Sequence, residues 1–185
     1  MLKQQSVRWV RLLAAAVVLA ATTIHASAQG RTTLDADAKR AYNRLVASVP
    51  AAKALAKNAL AVLVFPKITR AGLVVGGQYG EGVLMRGGKP AGYYSNAGAS
   101  YGLQAGAQQF GYALFFMNDK ALQSLTGTDG FEIGAGPSVV VVDQGMAKSA
   151  TSITMKDDIY AFIFGQKGLM AGVGLQGNKI TKLAN

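Results

Sequence analysis

Residues 33 to 49 repeat apolar positions at helical spacing. Leu34, Ala38, Ala41, Tyr42, Leu45 and Val49 fall on one stripe. Thr32 or Thr33 is placed to cap the start, and Asp35 and Asp37 sit where the helix dipole favours anions. Pro50 marks the stop. A second, shorter helix fits the Ala-rich residues 50 to 59, with Ser48 as its cap and Pro50 in the first turn. From Ala61 the texture changes to short runs of β-formers bounded by Gly, Pro, Asn and Asp, among them "AVLVF", "GVLMRGG", "FEIGAGPSVVVV" and "IYAFIFG". "RGGKP" at 86 to 90 predicts a tight hairpin turn on Gly87 and Gly88. One helical interruption is predicted at 118 to 125, capped by Asn118.

The predicted class is α+β. N-terminal helices pack on a strongly curved antiparallel β-sheet or small β-barrel, with one short internal helix. Glycines inside the strands, at 76, 77, 80, 82, 98, 102, 106, 111, 134, 136, 172 and 174, support the curvature. In "FPKITRAG", Pro66 is expected to close the first strand because it cannot donate to a ladder. Residues 67 to 70 would then connect to a strand from Ala71.

The chain opens on a different pattern. Lys3, Arg8 and Arg11 precede an apolar run from Leu12 to Ala21, followed by Ala26-Ser27-Ala28. This is a secretory signal peptide pattern, with cleavage expected after Ala28. The run is too short to span a bilayer, which takes about 20 residues; the competing reading is an uncleaved anchor. Residues 29–185 are expected to form a single domain in the periplasm. With the leader go the only Trp and the only His, Trp9 and His25, and the chain has no Cys. No thiol nucleophile, His base or Cys/His metal site remains. The nine acids are scattered, and the adjacent Asp157 and Asp158 make no acid/base pair. No catalytic residue, metal ligand or cofactor is implied; an enzyme resting on carboxylates or Tyr is the weakest of the function classes.

Charge sharpens the picture. Residues 29 to 70 hold eight cations and two acids, a net of +6, whereas residues 71 to 185 carry +1. A basic N-terminal third suggests an anionic partner. Arg40 and Arg44 are four apart, as are Lys53 and Lys57, so each pair shares a helix face opposite the apolar stripe. Other motifs are set aside. "GVGLQG" at 172 to 177 matches the dinucleotide fingerprint but is followed by only eight residues, too few for the helix and strand it needs. Aromatics at strand spacing read as core, with no nucleic-acid partner. An outer-membrane barrel is disfavoured by the helices and by the polar end "NKITKLAN".

"VFPKITRAGLVVGGQYGEGVL", "YGLQAGAQQ", "ALFFMNDKAL", "GPSVVVV" and "IYAFIFGQKGLMAGVGLQGNKI" resemble the lipid-binding SYLF domain family. The resemblance runs over residues 60 to 180 and implies a β-rich body with N-terminal helical elements and membrane-lipid binding through basic sequence. It carries over to Lys39, Arg40, Arg44, Lys53 and Lys57 on the helices, and to Lys67 and Arg70, which extend the helices' cationic face. Tyr94-Ser95 stands where the family often has Trp-Ser. The expected partner is anionic phospholipid or another anionic envelope component, met peripherally. The alternative is an envelope structural or interaction protein that binds a protein, lipopolysaccharide or peptidoglycan. Actin and phosphoinositides, partners of eukaryotic members, are not expected for an exported protein.

Overall fold

A computed structural model describes residues 30–72, 75–101, 106–127, 131–132, 137–142, 156–165, 168–169 and 178–184. The signal-peptide pattern, "GVGLQG" and the glycines at 102, 134, 136, 172 and 174 lie outside them. Helix α1 spans residues 30–48 and α2 spans Pro50–Ala56. Strands β1 (Ala61–Gly72), β2 (Val75–Arg86), β3 (Lys89–Tyr101) and β4 (Gly106–Phe116) follow. Then come α3 (Asp119–Thr126), β5 (Phe131–Glu132), β6 (Val139–Val141), β7 (Ile159–Gly165), β8 (Gly168–Leu169) and β9 (Asn178–Lys182).

Among the described residues nine strands form one sheet in the order β5-β9-β3-β2-β1-β4-β7-β6, with β8 added to β7. The pairs are antiparallel except β6 with β7. The expected curved sheet is therefore present, open and mixed. Its curl is visible in the packing. Phe131 and Ile180 near one edge join Ile159, Ala161 and Ile163 near the other in a single buried cluster. Side chains such as Leu63, Phe65, Leu114 and Phe116 fill that concave side, and α3 adds Ala121, Leu122 and Leu125. The opposite face carries a second cluster. There Ala38, Ala41 and Leu45 of α1 and Ala51, Ala52 and Leu55 of α2 cover Val62, Val64, Phe115 and Phe162. β1 and β7 alternate between the two clusters, so both faces of the central strands are dry.

The local signals explain most boundaries. Gly87 and Gly88 take φ of 57° and 77°, which suits the two-residue turn joining β2 to β3. The Asn118 Oδ1 accepts from the Ala121 N–H at 2.8 Å and caps α3. At the N-terminal end two expectations fail. Helix α1 already includes Thr32 and Thr33, so they do not cap it. The N-cap of α2 is Val49, without a side-chain bond, while the Ser48 hydroxyl donates back to the Arg44 carbonyl at 2.8 Å. Ser48 is spent on the previous turn.

The larger correction concerns Pro66. It does not close a strand. β1 runs unbroken through it as a twelve-residue central strand between β2 and β4. Register shifts between Val64 and Lys67 against β2, and between Phe65 and Ile68 against β4. Two residues of β1 thus oppose Gly82 on one side and Gly111 on the other, a bulge. A bulge leaves a residue outside the ladder, so the missing proline N–H costs little there. Gly82 is required at this point: a Cβ would lie 2.5 Å from the Phe65 ring.

Candidate functional site

The bulge decides which way the next cations face. Before it, Leu63 and Phe65 point to the concave cluster; after it, Ile68 does. Lys67 consequently projects to the helix-covered face. On α1, Arg40 and Arg44 are about 40° apart at 3.6 residues per turn, on one flank of the buried stripe. That flank faces the bulge. Arg40, Arg44 and Lys67 line one cleft with Asp37, Ala41, Pro66, Gln109, Phe110, Gly111, Phe164 and Gly165, enclosing about 360 Å³. Arg40 is ion-paired with Asp37 one turn away. Gln109 adds an amide, and Pro66 and Phe164 add apolar wall, while the Phe110 ring turns to the concave cluster. The arrangement can hold an anionic group against three cations that come from two elements.

The other predicted cations are not gathered there. Lys39 is exposed on α1 about 140° round from Arg44. Lys53 and Lys57 are exposed on and just after α2. Arg70 does not extend the helices' cationic face. It lies on the concave side, where its Nε and Nη2 donate to Gln78 Oε1 at 3.2 and 2.9 Å and its guanidinium sits 5.6 Å from the Phe110 ring centre. The reading that placed it with Lys67 assumed a turn at Pro66; the bulge separates them. Arg31, also in the basic third, has a structural task. It lies over the Tyr93 ring at 5.0 Å and donates to the Ala184 carbonyl, while the Tyr93 hydroxyl donates to Asp35 at 3.1 Å.

Among the described residues the carboxylates do not converge. Asp158 accepts from the Asn118 amide at 2.8 Å and from the Ser138 backbone N–H at 3.0 Å, and these bonds, the Asn118 one foremost, hold its carboxyl below the usual range. Its neighbour Asp157 accepts from the Tyr160 hydroxyl. Among the described residues no group of three or more acids or histidines could hold a metal ion, and no helix is long and apolar enough to cross a membrane.

Residues 97–185 match the family model for Ysc84, described as a Las17-binding protein actin regulator. The match is consistent with the resemblance of the sequence to SYLF domains. The match begins in β3 and runs through β9, taking in Gln109, Phe110, Gly111, Phe164 and Gly165 of the cleft. Arg40, Arg44 and Lys67 lie before the matched residues. Comparison with curated proteins returns no match. Gln109 escaped the sequence reading because β4 is buried on both faces from Phe110 to Phe116, so no alternation of polar and apolar residues marks which way its exposed start faces.

Proposed function

We propose that the chain is a periplasmic binding module that docks on anionic phospholipid through its helix-covered face. The observation that carries this reading is the convergence of Arg40, Arg44 and Lys67 on one cleft. Lys39 on α1 and Lys53 and Lys57 on and after α2 are exposed and add further positive charge to the helical layer. Each cation near an anionic surface contributes on the order of 1 kcal/mol, so six supply about 6 kcal/mol, a dissociation constant of roughly tens of micromolar before ordering costs weaken it. The leader pattern supports export, and the SYLF-type segment supports a binding role over an enzymatic one.

Vesicle co-sedimentation tests it. The protein is expected to pellet with phosphatidylglycerol-containing vesicles and to stay in solution with phosphatidylcholine alone. Arg40→Glu, Arg44→Glu and Lys67→Glu together should lower the bound fraction at least tenfold. Arg70→Glu should not, because Arg70 faces the other side. Equal binding to both vesicle types would sink the proposal. The Ysc84 description names a protein partner for that family. Capture of an envelope protein that survives lipid extraction, without vesicle binding, would favour the interaction-protein alternative.

A further inference from the structure

On the concave face, beyond the apolar cluster, one cross-strand row reads Gln108, Arg70, Gln78, Gly98, Asn178 across β4, β1, β2, β3 and β9. The adjacent row of the same face holds Phe110, Ile68, Gly80, Asn96 and Ile180. Three amide side chains are therefore buried in an otherwise apolar surface: Gln78 is 5% exposed, Asn96 0% and Asn178 1%.

Their orientations follow from Arg70. A guanidinium only donates, so Gln78 must turn its Oε1 toward Arg70. Its Nε2 then points away and donates to Asn178 Oδ1 at 2.8 Å and to Asn96 Oδ1 at 3.4 Å. Gly98, between them in the row, has no side chain to obstruct the bond across β3. With both asparagine oxygens committed to Gln78, both Nδ2 groups are left over. Neither Asn96 Nδ2 nor Asn178 Nδ2 has a hydrogen-bond partner, and both are buried. A buried donor without an acceptor bears its full desolvation cost. The cluster thus presents donors and positive charge with its amide oxygens already engaged.

We propose that this cluster is an oxyanion site, binding a carboxylate or phosphate through Asn96 Nδ2 and Asn178 Nδ2, with Arg70 as the counter-charge. Such a group has only acceptors to offer and carries the complementary charge. Ammonium or amide-donor ligands do not fit, since they would meet donors. Ile68, Phe110 and Ile180 border the amides, so an apolar group attached to the oxyanion would meet apolar side chains. The two sources to separate are a carboxylate on a hydrocarbon chain and free phosphate. The site lies on the opposite face of the sheet from the Arg40, Arg44 and Lys67 cleft, and neither depends on the other.

The test is a titration of the purified, ¹⁵N-labelled chain, read at the asparagine side-chain NH₂ signals. Inorganic phosphate is added in one arm and sodium octanoate in the other. The Asn96 and Asn178 signals are expected to shift saturably in at least one arm, and the responding arm names the source. Asn178→Asp keeps an oxygen for Gln78 Nε2 but replaces the unused donor by an acceptor, and should weaken binding at least tenfold. The Arg40→Glu, Arg44→Glu, Lys67→Glu variant should keep the shifts, which separates this site from vesicle docking. Should Asn178→Asp fail to fold, the wild-type titration decides by itself. The proposal is overturned if neither arm moves these signals, including the case in which they show exchange with a long-lived bound water as their acceptor.

Discussion

Tyr112 shows what a single buried group costs. Its ring is fully buried and stacked on Phe65, with centroids 5.9 Å apart at 13°. Its hydroxyl has no partner, and burial pushes its pKa well above the ordinary tyrosine value. Tyr112→Phe removes the unmet hydroxyl and keeps the ring, so urea unfolding should show a gain of about 1 kcal/mol. A loss of that size would mean that the hydroxyl is bonded after all. Asp158 behaves oppositely. Its folded pKa is lowered, so its contribution is present above the normal carboxylate range and is lost as pH falls through the depressed value. In Asp158→Asn this part of the acid limb of a melting-temperature profile should be flattened. The change should be modest, because the group is largely solvated. Asn118→Ala removes both the α3 cap and the Asp158 bond, at a cost of about 1–2 kcal/mol.

The bulge in β1 is the element on which the rest turns. It orients Lys67 to the helix face and Arg70 to the concave face, and both neighbouring strands meet it with glycine. Phe65 cannot yield at Gly82, since it is fully buried and stacked on Tyr112. Gly82→Ala should therefore cost about 1–3 kcal/mol by thermal or urea unfolding, although alanine is smaller than most strand residues. A neutral result would show that the ring has room to move. This element was also the least legible in the sequence. The helices, the Gly87-Gly88 hairpin and the Asn118 cap each have a local chemical signal, and all three were read. A bulge has none when the strand is buried on both faces, because alternation of polar and apolar residues is missing. Proline then looks like a terminus. Arg70 was misplaced for that reason alone, and the amide cluster went unseen because Asn178 of β9 joins Gln78 and Asn96 of the β2-β3 hairpin from 100 residues beyond Gln78.

For the molecule as a whole, the fold limits how a membrane can be met. An amphipathic helix can bind a bilayer by burying its apolar stripe among the acyl chains. Here the stripe of α1 is already used: Ala38 and Leu45 are 0% and 2% exposed against the sheet. Detaching it would uncover Val62, Val64 and Phe162 as well. At about 25 cal/mol per Å² of apolar surface, that exposure works against helix insertion. What remains available is charge on the outer flank. Docking by the proposed face should therefore be electrostatic throughout. The bound fraction on phosphatidylglycerol vesicles should collapse as salt rises and the Debye length shrinks to a few ångströms. It should also be the same on small and large vesicles of one composition, since no side chain has to enter packing defects. Co-sedimentation over a salt series at two vesicle diameters measures both. Salt-resistant binding that favours small vesicles would mean that α1 leaves the sheet, and that its apolar stripe rather than the cleft of Arg40, Arg44 and Lys67 holds the membrane.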